Sequence, residues 1–419
     1  MEDSNMKSQF IKTAKKNLFG HLTRRELFRG SGLAAFAGLA GCTESPDPVS
    51  TPQTLSNDIP TYASISVRTV INCSDCLTIL GGSIMRPEVK QAMEEASKHF
   101  IHLDDLMERV GERLAKLTGA EWGMISGGCA ACMVGGTCAC VAGADPEKMA
   151  MLPDTRGMKD EVLVPRVHRD QYDRVIWMVG VKMIDVDTAD EMDARVNKKT
   201  AMIEVLGKGL DWKGSPALED IVRVGKKHGI PVMVDASAEP FHIPNPYIEA
   251  GVDLVAYSGG KHLAGPQNSG ILLGRKDLVK AAFLNMAPHH AYGRPMKCSK
   301  EDIMGCLTAC EQWPKRDHEA EYKEWTRMVT HVGEKINRIP GVKSEVFHPT
   351  VRTNVYPNLI LDWDQNKIKL TKEELKDRLW DGDPRIAIYS GQLIAFGMRT
   401  GDEIPVAKRI HEELTGASV

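Results

Sequence analysis

Between residues 121 and 274 the chain carries seven short apolar runs, punctuated by glycine, proline or an acid, and these limit the folds open to it. They read EWGMI, EVLVP, KMIDV, TAMIEVL, IPVMVDAS, DLVAYS and GILLG, with helix-like stretches such as LEDIVRVGKKHG (218–229) between them. Strands this apolar are buried on both faces, and helices between strands cover those faces. The pattern predicts an α/β fold with a doubly wound, mostly parallel sheet. Helical spacing also marks 86–98, 104–117 and 170–179. Beyond about residue 290 the pattern changes. Long charged helices (300–337) precede scattered strands (343–348, 355–362, 385–389) and a last helix (404–415), as in a smaller α+β C-terminal domain. The expected organisation is 61–290 for an N-terminal segment with the large domain, and 291–419 for the small one. At 419 residues and 42% hydrophobic, the chain can fill such cores. Its net charge of −3 shows no basic excess, so no nucleic-acid partner is expected.

The first 60 residues differ from the rest. Residues 1–29 hold seven Lys/Arg against three acids, including the twin-arginine stretch Thr23-Arg24-Arg25-Glu26-Leu27-Phe28-Arg29. GSGLAAFAGLAG follows, too short for the ~20 residues of a bilayer span but suited to a signal-peptide core. It ends in Leu39-Ala40-Gly41-Cys42, a lipobox-like sequence in which Cys42 would be lipidated. Residues 1–41 are therefore expected to be a twin-arginine lipoprotein signal peptide, and 42–60 a flexible tether rich in Pro, Ser and Thr. The protein would be exported folded and held at a bacterial membrane through Cys42, on the periplasmic side or the cell surface. Twin-arginine signals serve proteins that load a cofactor before export, which suggests a prosthetic group.

In open α/β sheets ligands bind beyond the carboxyl ends of strands. The residues at those ends are Ser126-Gly127-Gly128, His168, Asp235 and Ser258-Gly259-Gly260-Lys261. The last stretch is not a phosphate-binding P-loop, because Val255 and His262 stand where that motif needs Gly and Ser/Thr. An acid at one strand end and a lysine at the next is the pair that pyridoxal phosphate requires. The lysine forms a Schiff base with the cofactor aldehyde, and the acid keeps the pyridine nitrogen protonated. A glycine turn opening a helix, as in EWGMISGGCAAC, suits the cofactor phosphate. His168 could stack on the ring.

SGGKHLAGPQNSG, the preceding VDAS and the earlier VHRDQYDRVIWMVG resemble the selenocysteine synthase (seryl-tRNA selenium transferase) family, and more closely its ammonia-lyase relatives that act on amino-sugar acids. Both groups share the aspartate-aminotransferase-like fold of fold-type I pyridoxal-phosphate enzymes. The resemblance runs from about Val70 to GRPMKCSKEDIMG (293–305). It implies pyridoxal 5'-phosphate as cofactor, Lys261 as the Schiff-base lysine and Asp235 as the ring-nitrogen acid. Ser126, Gly127, Gly128 and Ser258 would hold the phosphate, and His168 would stack. It further implies a small-molecule substrate and a homodimer or larger homo-oligomer, with Arg294 and Lys297 able to reach a neighbouring subunit's site. Arg352 and Arg385 lie where this fold often places an arginine that grips a substrate carboxylate. The expected reaction is Cα-deprotonation followed by β-elimination, or by β-replacement as in a transferase.

The chain departs from the selenium transferases in having Gly260 where they usually carry an acid, and an export signal where they carry a tRNA-gripping domain. Selenium transfer to seryl-tRNA therefore stands second, and a non-catalytic lipoprotein module third. A class V desulfurase would need a reactive cysteine, for which Cys298 is the candidate. SGGCAACMVGGTCAC (126–140) suggests a metal or redox centre, but on one helix Cys129 and Cys140 would lie ~16 Å apart and Cys138 would point away. Four such sulfurs cannot share one ion, so close packing by small residues is the expected role and no metal site is expected. Cys73 and Cys76 have CxxC spacing and could pair after export, while Cys306/Cys310 and His289/His290 read as packing pairs.

Overall fold

The computed structural model describes residues 59–419, so the expected signal peptide, Cys42 and all but the last two tether residues lie outside the described part. No described helix is long and apolar enough to cross a membrane. Twelve strands are described: β1 (Val70–Cys73), β2 (Trp122–Ser126), β3 (Glu161–Pro165), β4 (Lys182–Val186), β5 (Thr200–Leu206), β6 (Val232–Asp235), β7 (Leu254–Ser258), β8 (Gly270–Gly274), β9 (Val342–Phe347), β10 (Asn358–Trp363), β11 (Arg385–Ile388) and β12 (Gln392–Ile394).

Seven of them form one sheet in the order β2-β8-β7-β6-β5-β3-β4. β8 alone runs antiparallel to its neighbours, and every other pairing is parallel. All seven residues of β5 are buried, as two-face coverage demands. The helix Leu218–His228 is acidic in its first turn and basic in its last, matching its dipole, and stops at Gly229 in the left-handed region (φ 62°). The helix Cys129–Ala142 is apolar on nearly every face, with all but Ala130 and Cys140 buried. A Cβ on Gly136 would stand 2.5 Å from Met233 Sδ, so this helix lies close against the sheet because its residues are small.

One sequence expectation changes, over 170–179. Residues 170–179 form only the short helix Asp173–Trp177, because Asp170 accepts from Tyr172 N at 2.7 Å and holds a turn instead. The charged stretch 300–337 is two helices, Lys300–Gln312 and His318–Ile336. They are split at Pro314, and Asp317 caps the second by accepting from Ala320 N at 2.9 Å.

Two hydrophobic cores fill the unit Tyr62–Val419. The larger surrounds the seven-stranded sheet and includes Ile303, Cys306, Leu307 and Cys310. The smaller contains Met328, Val332, Leu361, Leu379, Ile410 and also Cys73. Lys300–Gln312 packs with the large core, while β1 pairs in parallel with β11 and joins the small one. A pattern read along the chain gives no warning that an N-terminal strand will cross over. β9, β10 and β12 form a separate antiparallel sheet.

An aromatic stack links the small-core region to the turn that carries Lys261. The Tyr356 ring lies 4.7 Å from His262 and 4.2 Å from Phe396, both stacked, with Trp325 edge-on at 5.4 Å. His262 is fully enclosed, and burial depresses its pKa to about 3, so the ring facing Tyr356 is neutral. Tyr356→Ala should lower stability by about 3–5 kcal/mol in urea denaturation, the range for removing a buried ring.

Candidate active site

The carboxyl ends of the strands bring the chemistry together. Asp235 is the last residue of β6 and 8% exposed. Its Oδ1 accepts from Ser237 N at 2.9 Å and lies 3.5 Å from the Cys129 thiol. The turn after it closes through Glu239 N donating to Ala236 O at 3.0 Å. Lys261 follows β7 across Gly259 and Gly260. A Cβ on Gly259 would stand 2.1 Å from Ser269 Oγ, and one on Gly260 2.5 Å from Gln267 Cα, so this turn needs both glycines. His262 then ties the two turns together through Nε2 and Ala238 O, 3.1 Å apart. Lys261 and Asp235 consequently line one cavity, shared with Asp170, Lys208, Glu239 and Thr353.

The turn expected to take a phosphate lies two strands from β7, across β8. Ser126 is in register with Gly270 of β8, which is in register with Ser258 of β7, so both serines fall on one row at the sheet edge. The helix Cys129–Ala142 starts there behind Gly128 (φ 96°), with no side chain capping its first N–H groups. Such uncapped groups are an anion site. A Cβ on Gly270 would stand 2.2 Å from Gly128 C and 2.4 Å from Cys129 N, so only glycine lets the turn settle on the sheet. Burial and the nearby Asp235 raise the Cys129 pKa, while Lys261 lowers it, which places this first helical residue beside both chemical groups. The segment 293–298 closes the far side, since Met296 O lies 3.1 Å from where a Gly127 Cβ would be. A buried acid, a lysine, two serines and an open helix start fit pyridoxal phosphate.

His168 is 1% exposed in the 3-10 turn after β3. Its Nδ1 accepts from Leu206 N at 3.3 Å, and its Nε2 meets Ser215 Oγ at 2.9 Å. Its ring packs on Gly209, where a Cβ would come within 2.5 Å of Cδ2. It lines a small pocket with Asp235 and Glu204. Burial lowers its pKa to about 4, so the ring is neutral at working pH.

The arginines separate. Arg352 pairs with Asp211 at 3.2 Å, beside Thr353 at the rim of the lysine cavity. Arg385 donates to Trp380 O at 3.0 Å, stacks 4.7 Å over that ring, and lines a different cavity of about 770 Å³ with Arg86 and Arg316. Arg294 sits in the segment over Gly127, its Nε buried without a partner among the described residues. Cys298 is partly buried, and its Sγ lies 3.5 Å from Asn268 O. Burial raises its thiol pKa, the opposite of a poised nucleophile. Cys73 and Cys76 are buried free thiols. No group of three or more His, Cys, Asp or Glu able to hold a metal occurs among the described residues.

Sequence reading missed Glu204 and Glu239. Glu204 is buried on β5, and its Oε2 has no partner among the described residues. Burial, with Asp235, Asp173 and Asp170 nearby, raises the pKa of its carboxyl well above the usual range. Glu239 follows Asp235 by four residues, and only the turn between them brings both into one cavity.

Two outcomes test this geometry. Gly270→Ala should weaken binding of pyridoxal phosphate to the apo-protein at least tenfold, about 1.4 kcal/mol, in a spectroscopic titration. His168 binds its proton near pH 4 when folded and near 6.5 when unfolded. Between those values the unfolded chain holds more protons, so stability is full above 6.5 and falls as pH drops through the window, by up to about 3 kcal/mol. His168→Gln should flatten that part of the stability–pH curve in denaturant titrations.

Residues 183–300 match the family Aminotransferase class-V. The chain is 28% identical to D-glucosaminate-6-phosphate ammonia lyase of Salmonella typhimurium over 78% of its own length and 88% of the relative's. It is 30% identical to a 5'-C-glycyluridine monooxygenase-decarboxylase of a Streptomyces species, over 79% and 84%. An L-seryl-tRNA(Sec) selenium transferase of Moorella thermoacetica is 28% identical, but only 56% of its length is spanned. A solved D-glucosaminate-6-phosphate ammonia-lyase structure superposes with a TM-score of 0.75 at 27% identity, covering 85% of this chain and 99% of that one. Extent and identity together assign the chain, a pyridoxal-phosphate-dependent enzyme, to the selenocysteine synthase-like family of fold type I.

Proposed function

We propose that the enzyme removes the α-proton of an amino-sugar acid and eliminates the substituent on the neighbouring carbon, as an ammonia-lyase does. The observation that carries this reading is the meeting of Lys261 and Asp235 in one enclosed cavity at the sheet edge. The relative of Salmonella typhimurium, whose length is nearly all covered, supplies the substrate class. When bound, pyridoxal phosphate supplies the electron sink that makes an α-proton acidic. Lys261 Nζ would hold the cofactor aldehyde and, as a free amine, would accept that proton. Asp235 would hold a proton on the pyridine nitrogen. Ser126, Gly127, Gly128, Ser258 and the first N–H groups of the helix Cys129–Ala142 orient the phosphate. His168, neutral and fixed at both nitrogens, supports the ring. Arg352 at the rim is placed to meet a substrate carboxylate by exchanging its Asp211 partner.

Several observations support the setting. The twin-arginine pattern and Cys42 favour export of the folded, loaded enzyme and attachment by lipid. Arg294 Nε, buried without a partner among the described residues, and the packing of Met296 over Gly127 favour a site completed by a second copy of the chain. Against seryl-tRNA as substrate stand Gly260 and the partial span of the selenium transferases. Retention of both Lys261 and Asp235 weighs against a non-catalytic module.

Incubation of purified enzyme with 2-amino-2-deoxygluconate 6-phosphate should release ammonia and a keto acid in equal amounts. Lys261→Ala and Asp235→Asn should each reduce the rate at least 100-fold. Oxygen uptake with release of carbon dioxide would instead align the enzyme with its Streptomyces relative and refute the lyase reading.

A further inference from the structure

Glu239 is one of three carboxyl groups lining the lysine cavity, with Asp235 and Asp170, and no role described above uses it. Its side chain is 7% exposed and lines the cavity beside Lys261 and Asp235. Tyr247 Oη donates to Glu239 Oε1 at 2.6 Å. Oε1 is thus occupied as an acceptor, leaving Oε2 to carry a proton. The carboxyl lies against the backbone at Gly207, where any Cβ would come within 2.1 Å of Oε1. The turn Ala236–Glu239 and the His262–Ala238 bond lock it to both Asp235 and the Lys261 turn. This much support for an acid in contact with the reacting space is costly unless the acid is used.

We propose that Glu239 is a catalytic acid that delivers a proton to the hydroxyl leaving the substrate's β-carbon. The inference rests on the elimination reading above. Lys261 takes the α-proton, and the C–H electron pair becomes the second bond between Cα and Cβ. The Cβ–O bond breaks with its electron pair going to oxygen, and the Glu239 proton joins that oxygen, so water leaves. Lys261 ends with one proton more and Glu239 with one fewer, and transfer between them across the cavity restores both.

The surroundings suit this task. Burial raises the Glu239 pKa to about 7, Asp235 and Asp211 add to the rise, and Tyr247 and Arg352 oppose it. Lys261, Lys208 and Asp170 complete the charged groups facing the cavity. An acid titrating near neutrality combines a large protonated fraction with ready release.

The test compares serine, whose leaving hydroxyl needs a proton, with β-chloroalanine, whose chloride does not. Glu239→Gln should slow elimination from serine at least 100-fold and from β-chloroalanine less than fivefold. In the wild type the serine rate should fall as pH rises through about 7, the acid form being required, while the chloride rate should not. Infrared spectra of the apo-protein should show a protonated carboxyl band that titrates near 7 and is absent from Glu239→Gln. Equal losses on both substrates, or a carboxyl already ionised at pH 6, would overturn the proposal. A wild type that releases no ammonia from 2-amino-2-deoxygluconate 6-phosphate would overturn the underlying lyase reading, whereas the infrared band reports on Glu239 alone.

Discussion

The structure is organised around a carboxylate, Asp235, buried at the end of a strand in the middle of a seven-stranded sheet. Burying such a group is unfavourable unless its surroundings compensate. Here the next turn donates a backbone N–H through Ser237, and a cysteine at a helix start lies alongside. Glu204 lines the same pocket, where burial and the nearby Asp235 raise its pKa and so oppose a further negative charge beside Asp235. A cationic ring nitrogen is the natural partner for what remains. The rest of the site follows from the sheet's topology, since Lys261 and the two serines leave strands that end on the same side.

The second constraint is contact between cores. The lysine turn is fastened to Ala238 on one side and on the other stacked through His262 on Tyr356, which in turn stacks on Phe396. The turn carrying Lys261 is thus in direct packing contact with the small-core region. Thr353 reaches the cavity from the same region. A substrate bound between them would contact both cores, which fits an enzyme whose specificity is set by the smaller one while the chemistry stays on the sheet.

Much of this was legible in the residues. Apolar runs ending in Asp235 and before Lys261 gave strand identity, direction and the chemical pair, because parallel strands are apolar throughout and place their ends together. The cysteine-rich helix read correctly as packing, since Cys, Ala and Gly share small volume and its Gly136 sits against Met233. What stayed hidden depended on pairing at a distance. β1 joins β11 across more than 300 residues, and nothing in VINC announces that partner. Nothing in the sequence singles out Glu239, because its burial comes from contacts with Tyr247 and Gly207 that only the folded turn creates. Arg385 fell on the expected element, but its side chain lies over Trp380 and lines another cavity. Strand periodicity identifies an element and leaves the direction of a long side chain open.

The central claim is that Lys261 is the residue carrying the cofactor. Borohydride reduction of the purified holoenzyme, followed by proteolysis and mass spectrometry of the peptides, tests it directly. The account predicts a single pyridoxyl-phosphate adduct, on the Lys261 side chain within SGGKHLAGPQNSG. An adduct on another lysine, or none on a protein saturated with the cofactor, would contradict it.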